Sequence, residues 1–407
     1  MIYYNKVFER KLAMKRYDLL TPEGTKDLLF EDCAVRRSLE EKLSGIFKSM
    51  GYCEIVTPGL EFFDIFNLNS RYFPQESMYK LTDNKGRILV VRPDSTLPIA
   101  RVAATRLRDA ELPLRLFYRQ NVYRNKPAMR GRSDEIHQMG IELIGSDSKR
   151  ADLEVLTGAI DVLSSLENDS FRFELGDIGY FRRLVGRLDA DDAVKEEIRS
   201  LIEVKNYPAL NDLLDSIGKN EITSALKQLP RLFGGEEVFE KAEKLFDGGK
   251  EIIADLREIY NSLAALGYNG KITVDLGLVN KLDYYTGIVI KGYLEGYGDA
   301  VLSGGRYNKL LAEFGYDVPA IGFAVNIDAA AKVIKQSGEY SAPVPDVIVF
   351  GEDGYEMKSV EYAAELRKDG QIVEFSVFGT FEETLSYAKK KNIGKVVCVG
   401  ETIKEGN

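Results

Sequence analysis

Polar residues that could bind a ligand follow an apolar, strand-like stretch at residues 87–93, RILVVRP. Asp94 and Thr96 come directly after it, in the segment VRPDSTLPIAR. A carboxylate at the end of a strand can accept hydrogen bonds from the amino group of a ligand. An aspartate in such a turn can equally accept a hydrogen bond from its own backbone. The residues alone leave both roles open.

A second group of polar residues occupies two strand-like segments within residues 117–145, FYRQNVYRNKPAMRGRSDEIHQMGIELIG. The first segment ends at Arg124, which can grip a phosphate or carboxylate with two hydrogen bonds. The basic loop after it contains Lys126, Arg130, Gly131 and Arg132. Gln138 and Glu142 lie four residues apart, so strand alternation puts them on one face, where burial without partners would be costly. This pattern predicts a ligand site or polar network, the alternative being a solvated sheet face beside a charged hairpin.

Two further motifs lie later in the chain, at residues 279–292 and 302–315. Tyr284 and Tyr285, in VNKLDYYTGIVIKG, precede an apolar strand and could wall a small ring-bearing ligand, with a hydroxyl as hydrogen-bond partner. They could also be ordinary half-buried strand tyrosines. Gly304 and Gly305, in LSGGRYNKLLAEFG, would let the backbone approach a ligand closely, or would form a tight turn.

The elements around these motifs indicate a largely antiparallel sheet with flanking helices. Apolar periodicity predicts helices at 30–50 and 151–166 and strands at 53–58, 87–93, 112–124, 139–145, 171–177, 271–279, 285–297 and 300–305. Residues 188–267 are charged and amphipathic, which predicts a helical insertion. After a polar linker at 337–347, a βαβαβ pattern predicts a small, mainly parallel sheet. We therefore expect an N-terminal extension (1–17), a core (18–336) and a C-terminal unit (337–407).

Composition excludes several classes of protein. The net charge of -9 over 407 residues argues against a dedicated nucleic-acid binder. The three cysteines are widely separated, so neither a zinc site nor a disulfide framework is expected, which fits a reducing cytoplasm. His137 is the single histidine, which excludes a histidine-rich metal site, and alternation directs it away from Gln138. No signal peptide, membrane span, P-loop or dinucleotide-binding motif occurs, and no cofactor is expected.

Taken in order, these motifs resemble the catalytic core of class II histidyl-tRNA synthetases from about Asp18 to Asp328. PEGTKDLL at 22–29 resembles the first motif region, YR…GR…HQ…E resembles motif 2, LDYYTG resembles the histidine-binding signature, and GGRYN…PAIGFA resembles the approach to motif 3. The resemblance implies an α+β class II synthetase-like core, an antiparallel sheet flanked by helices with a helical insertion. It also implies a small C-terminal α/β domain similar to a truncated anticodon-binding domain.

The resemblance also implies roles for individual residues. Asp94 and Thr96 would bind the amino group of histidine, and Arg124 would hold a phosphate or carboxylate. Gln138 and Glu142 would line the amino-acid pocket. The implied histidine-binding residues are thus Asp94, Thr96, Arg124, Gln138, Glu142, Tyr284 and Tyr285, the two tyrosines flanking and bonding the imidazole.

Departures from the synthetase pattern fall on the groups that drive catalysis. Asn280 and Lys281 replace an arginine and a glycine before LDYY, and Ala329 replaces the motif 3 arginine that packs on ATP. Asn326 and Asp328 replace a glycine and a glutamate. Removing one group that stabilises transition-state charge costs roughly 2.7–4 kcal/mol. Amino-acid activation should therefore be negligible, unless Lys281 or Arg130 supplies the missing charge.

A histidine pocket without activating groups resembles the synthetase-like regulatory subunits of ATP phosphoribosyltransferase, which also share the RPD-x-T motif. That family implies a non-catalytic chain that assembles with a short-form catalytic subunit, is required for its activity and transmits feedback inhibition by histidine. It further implies a homodimer through residues near 20–60. The C-terminal unit ends soon after its third strand, so tRNA binding is not expected. The alternatives are a histidyl-tRNA synthetase with divergent motifs and a scaffold that binds no histidine.

Overall fold

The computed structural model describes residues 17–67, 73–125, 133–166, 170–246, 248–279, 284–337 and 343–406. The chain divides into two compact units, Met1–Glu339 and Tyr340–Asn407, and each is described by itself.

The first unit contains twelve described strands and eleven described α-helices. In chain order these are α1 (Glu31–Ser49), β1 (Cys53–Glu54), β2 (Leu60–Phe62), α2 (Phe63–Asn67), β3 (Lys80–Thr82), β4 (Ile88–Val91), α3 (Thr96–Thr105), β5 (Leu114–Tyr123), β6 (Glu135–Ile144), α4 (Lys149–Ser165), β7 (Phe171–Asp177), α5 (Ile178–Gly186), α6 (Asp192–Glu203), α7 (Tyr207–Ile217), α8 (Glu221–Gln228), β8 (Phe233–Gly234), α9 (Glu237–Glu243), α10 (Gly249–Leu263), β9 (Ile272–Asp275), β10 (Ile288–Leu294), β11 (Leu302–Arg306), β12 (Ala320–Asn326) and α11 (Ile327–Ser337).

Nine of these strands form one sheet in the order β1-β5-β6-β12-β11-β10-β7-β9-β8. Only the β1–β5 and β7–β9 pairs are parallel, so the sheet is mixed and largely antiparallel, which confirms the predicted fold class. Strands β2, β4 and β3 form a separate antiparallel sheet. Helices α6–α10 lie within the segment predicted as a helical insertion, and α5 precedes that segment.

One face of the large sheet is packed by apolar helix residues. Leu43 and Phe47 of α1 are fully buried, and the Phe47 ring lies 5.8 Å from the ring of Phe117 and 6.0 Å from that of Phe323. Burying such side chains stabilises the fold by about 1.5–3 kcal/mol each. The opposite face carries polar side chains, among them Gln138 and Glu142.

Several strand boundaries differ from the sequence-based prediction, and two of them have a clear cause. Strand β6 begins at Glu135 rather than 139, because it pairs with β5 along ten residues that include the polar segment. The predicted strand at 53–58 shortens to Cys53–Glu54, since its continuation runs into Pro58 and pairs with no further residue of β5 beyond Phe117. The described helices of both units include none long and apolar enough to cross a membrane.

The second unit contains β13 (Val347–Gly351), α12 (Glu356–Lys368), β14 (Val373–Phe375), α13 (Phe381–Lys391), β15 (Lys395–Val399) and β16 (Ile403–Gly406). The sheet order is β14-β13-β15-β16, with β13 parallel to both of its neighbours. Each helix packs on one apolar face of this sheet. Strand β16, which is antiparallel to β15, was not predicted because Ile403 to Glu405 are exposed and show no apolar alternation.

Candidate ligand-binding site

A cavity of about 70 Å³ lies on the polar face of the large sheet. A water molecule needs roughly 10–15 Å³ of such space, so the enclosed part of the cavity has room for a ring-sized group of about five non-hydrogen atoms. All seven residues predicted from the sequence line it. The complete lining is Asp94, Thr96, Tyr118, Arg124, Gln138, Glu142, Tyr284, Tyr285, Ser303, Tyr307, Gly322, Phe323 and Ala324.

Strand pairing sets the floor of the cavity. Gln138 and Glu142 share one face of β6, as their spacing predicts. Across the β6–β12 ladder, Glu142 lies opposite Gly322 and Gln138 lies opposite Asn326. The absence of a side chain at Gly322 leaves the space that the Glu142 carboxylate occupies.

Glu142 is the buried acidic centre of the site. Thr96 Oγ1 donates a hydrogen bond of 2.9 Å to its Oε1, and the hydroxyl of Tyr307 donates to its Oε2. Burial raises the pKa of Glu142 to about 8, although both hydrogen bonds act in the opposite direction. The carboxyl group is therefore held at the edge of ionisation near neutral pH.

Asp94 is a second buried carboxylate at the cavity wall. Its Oδ1 accepts a hydrogen bond of 3.0 Å from the backbone N–H of Leu97 at the start of α3. Burial raises the pKa of Asp94, whereas the Leu97 N–H and the charge of Arg124 lower it. Asp94 thus accepts a hydrogen bond from its own backbone turn, as one of the two predicted roles requires, and it also lines the cavity.

Arg124 is tied to the segment that carries Asp94. Its Nε donates a hydrogen bond of 2.9 Å to the carbonyl oxygen of Pro93, and its guanidinium lies 5.9 Å from the ring centroid of Phe73. Its backbone N–H donates to the carbonyl oxygen of Asp134 at 2.8 Å. These contacts fix a cation at the mouth of a site that is otherwise acidic.

Three tyrosine rings enclose the cavity. The ring centroids of Tyr284 and Tyr285 are 4.8 Å apart, and those of Tyr284 and Tyr307 are 5.9 Å apart. Burial and the nearby carboxylates hold the pKa of each phenol well above its ordinary value, so all three are hydrogen-bonding neutral groups. The arrangement offers apolar ring faces together with several hydroxyl groups.

Gly304 and Gly305 serve neither of the roles considered for them. Both lie inside strand β11, not in a turn, and neither lines the cavity. A Cβ on Gly305 would lie 2.8 Å from Cδ1 of Tyr285 and 2.5 Å from the carbonyl oxygen of Ile288. The glycine therefore makes room for the tyrosine ring and not for a ligand.

Sequence reasoning missed several lining residues, chiefly Tyr118, Ser303 and Tyr307. Tyr118 lies on β5 opposite Gly140, and only the cross-strand register brings it to the site. Tyr307 directly follows the Gly-Gly-Arg segment, and its position next to the two glycines is the feature from which it could have been predicted as a site residue. Its bond to Glu142 spans 165 residues and has no local signature.

His137 lies on the opposite face from Gln138 and has structural partners. Its Nδ1 is 2.5 Å from Oδ1 of Asn121, and its Nε2 is 2.9 Å from Oε1 of Glu40. Its backbone N–H donates to Oδ2 of Asp328 at 2.8 Å. Burial lowers the pKa of His137, which favours the neutral ring.

A neighbouring cavity of about 530 Å³ contains the departures from the synthetase pattern, Asn326, Asp328 and Ala329. Asn326 Oδ1 accepts a hydrogen bond of 3.0 Å from the Ala329 N–H, which caps the start of α11. Asp328 bonds Arg36 of α1 in addition to the His137 N–H. The cations on this wall are Lys26 and Lys332.

The remaining departures, Asn280 and Lys281, lie outside the described residues, as do Lys126, Arg130, Gly131 and Arg132 of the basic loop. Among the residues that the structure describes, no cluster of three or more histidine, cysteine or acidic side chains could hold a metal ion.

Comparison with known proteins gives the class to which the fold and site belong. The model of the histidyl-tRNA synthetase family matches residues 24–330. A solved histidyl-tRNA synthetase from Nostoc is 19% identical, with a TM-score of 0.77 over 93% of this chain and 91% of that chain, and it supports the fold alone. The chain therefore has a class II core of the histidyl-tRNA synthetase type.

More similar proteins narrow the family. A solved protein from Bacillus halodurans, described as an ATP phosphoribosyltransferase regulatory subunit/histidyl-tRNA synthetase, is 30% identical, with a TM-score of 0.84 over 95% of this chain and all of that one. The ATP phosphoribosyltransferase regulatory subunits of Clostridium kluyveri and Clostridium botulinum are 41% and 38% identical. These alignments cover 91% and 94% of this chain, and 97% and 92% of the relatives. This chain belongs to the ATP phosphoribosyltransferase regulatory subunit family, whose members are paralogues of histidyl-tRNA synthetase.

Proposed function

We propose that this chain senses histidine for ATP phosphoribosyltransferase, the first enzyme of histidine biosynthesis. It binds histidine as a feedback effector and is required by a separate, short-form catalytic subunit, which condenses ATP with phosphoribosyl pyrophosphate. The observation that carries this proposal is the enclosed cavity in which Asp94, Glu142 and the tyrosine rings converge, next to a wall that lacks an arginine at Ala329.

The cavity matches the chemistry of histidine group by group. Asp94 offers its second carboxylate oxygen to the α-ammonium group, and Arg124 offers a cation to the carboxylate. An imidazole has two ring nitrogens, and Glu142 together with the hydroxyl of Tyr285 supplies an acceptor and a neutral partner for them. The tyrosine faces of Tyr284 and Tyr307 pack against the ring.

Activation of histidine with ATP is not expected. At the neighbouring wall Asp328 is engaged by Arg36 and His137, and Ala329 is 2% exposed. Charge that develops on a phosphate in flight would lack the arginine that the synthetase family places there. We therefore assign the chain no catalytic residue, no cofactor and no aminoacylation activity.

An exposed apolar surface supports a homodimer. Leu60, Phe62 and Leu81 share one face of the β2-β4-β3 sheet by register and alternation, and each is more than 40% exposed. Leu29 and Phe30, just before α1, are also exposed. Apolar clusters of this kind typically mark protein interfaces. In our proposal a second copy of the chain covers this surface. Catalytic subunits then join the dimer to complete a cytoplasmic hetero-oligomer. We expect this assembly to bind neither membrane nor tRNA.

Histidine calorimetry on the purified chain tests the sensor role. Saturation at about 100 times the Kd should stabilise the fold by about 2.7 kcal/mol. Tyr285→Phe should weaken histidine binding by about tenfold through loss of one hydrogen bond, while Tyr316→Phe, whose hydroxyl bonds Arg108 outside the cavity, should not.

The complex tests the regulatory role. Adding the chain should switch on a short-form catalytic subunit, and histidine should then inhibit it. Aminoacylation of tRNA at an ordinary synthetase rate would instead establish a synthetase with divergent motifs. The absence of any thermal shift with histidine would leave only a scaffold role.

A further inference from the structure

A third cavity, of about 300 Å³, lies between the far half of the large sheet and the helical insertion. Strands β7–β10 form its floor, and residues at and after the end of α6 form its roof. Its volume is at the lower end of the range for small-molecule sites. The role proposed above for the chain does not involve this cavity.

The floor of this cavity is charged where a sheet usually packs apolar residues against helices. Lys291 of β10 lies opposite Glu174 of β7, and Tyr293 lies opposite Arg172. Asp275 of β9 lies opposite Phe233 of β8. Paired residues project to the same face, so rigid strands present acids and bases side by side.

The charges of the floor and roof are only partly neutralised by each other. Glu174 lies 3.2 Å from Arg172, and Glu203 is 2.9 Å from Arg199. Within the described ranges, neither Lys205 nor Lys291 lies within ion-pair distance of a carboxylate.

Asp275 is the acid left for a ligand. Its Oδ1 accepts a hydrogen bond of 2.8 Å from the Gly277 N–H, and burial raises its pKa to about 6 while Lys291 and Lys205 lower it. The Asp275 carboxylate and the amines of Lys205 and Lys291 therefore face the same cavity but lie farther apart than ion-pair distance.

We propose that this cavity binds a small zwitterion, a free α-amino acid. The ligand ammonium group pairs with Asp275, and the ligand carboxylate pairs with Lys291 and Lys205, so each of these charges gains an opposite charge. Tyr293, Phe233 and Tyr207 of the lining provide aromatic surface for the side chain of the ligand.

The site lies close to the first cavity but is distinct from it. Lys291 lies directly opposite Ser303, which lines the first cavity, and the two residues belong to adjacent strands. Adjacent strands are about 4.8 Å apart. A test must therefore weaken ligand binding at the first cavity and measure ligand binding at the third.

The experiment measures amino-acid binding by calorimetry on the full chain carrying Tyr285→Phe. The probes are L-aspartate, L-lysine and L-phenylalanine, which exclude the ligand proposed for the first cavity, each up to about 10 mM, which corresponds to the weakest specific affinities of interest. At least one probe should bind. Adding Lys291→Met should weaken that binding by at least about tenfold, because the ligand carboxylate loses its partner. Lys309→Met, which removes a largely exposed lysine elsewhere, should leave it unchanged.

Asp275→Asn provides the second variant and should weaken the same probe, with circular dichroism showing that the fold is kept. Binding of no probe, or equal binding with and without Lys291→Met, would overturn the proposal. Tyr285→Phe weakens histidine binding at the first cavity alone, so either site can fail independently of the other.

Discussion

Gly322 lies directly opposite Glu142 across the β6–β12 ladder, and a Cβ at Gly322 would fall 1.9 Å from Oε2 of Glu142. The same Cβ would lie 2.3 Å from the carbonyl oxygen of Ile141, which cannot rotate away. The carboxylate is also held by Thr96 and Tyr307. The smallest possible residue at position 322 is thus what allows an acid to sit at the centre of the first cavity.

Gly322→Ala should destabilise the chain by about 1–3 kcal/mol through overpacking and should abolish measurable histidine binding. Urea unfolding and calorimetry measure the two effects. Gly45→Ala is the matched control, because a Cβ at this exposed position in α1 meets nothing within 4 Å. That control should instead stabilise the fold by about 0.5–1 kcal/mol. Unchanged histidine binding by Gly322→Ala would contradict the arrangement described for Glu142.

The raised pKa of Glu142 predicts how stability depends on pH. The ordinary pKa of a glutamate is 4.5 and the folded value for Glu142 is about 8, so between these values the folded state holds a proton that the unfolded state releases. This contribution is complete below pH 4.5 and is lost as the pH rises through 8, at no more than about 1.4 kcal/mol per pH unit. Glu142→Gln should remove that part of the slope in urea unfolding series at pH 5 to 9. If the stabilities of the unmodified chain and of Glu142→Gln changed with pH in the same way, Glu142 would have an ordinary pKa.

Histidine binding should release protons. The α-ammonium group of histidine favours ionised carboxylates in the cavity, so binding lowers the pKa of Glu142 from about 8. Affinity should therefore increase between pH 6 and 8. Calorimetry at pH 7 in two buffers of different ionisation enthalpy measures the proton count, which should fall towards zero with Glu142→Gln. Proton uptake on histidine binding would contradict the inference that binding lowers the pKa of Glu142.

Asp328→Ala should be strongly destabilising, because it removes the acceptor for Arg36 and for the His137 N–H at once. Leaving such partly buried groups unpaired costs about 1–3 kcal/mol each. Asp317→Ala breaks a 3.8 Å contact between two largely exposed side chains and is the control, with no measurable change expected. Denaturant unfolding at one pH compares the two, and equal stabilities would show that the Asp328 contacts contribute nothing.

Local sequence pattern was sufficient for some of the elements that bury an apolar face, although the largely buried α3 and β12 were not predicted. Helix α1 begins within one residue of its predicted start, and strand β7 has its predicted bounds, because apolar periodicity and burial coincide there. Polar strands gave no such signal, which is why β16 and the first residues of β6 were not predicted. Their position depends on backbone pairing with a neighbour that is distant in sequence.

The candidate site shows the same division. Gln138 and Glu142 could be placed on one face from spacing alone, and both line the cavity. Tyr307 and Tyr118 could not, since their approach to Glu142 depends on sheet register and not on spacing along the chain. The glycine pair at 304–305 was conspicuous for a steric reason, because Gly305 clears space for Tyr285 and Gly304 lies against Gly322 and Phe323.

The three residues at the start of α11 determine how the neighbouring cavity wall would respond to substitution. Asn326 caps the helix, Asp328 joins two distant segments, and Ala329 is packed in the interior, so each has a structural role. An arginine introduced at position 329 alone would have to place a guanidinium in this packed interior. Giving this wall the charge of the synthetase pattern would therefore require compensating changes around Ala329, and not one substitution.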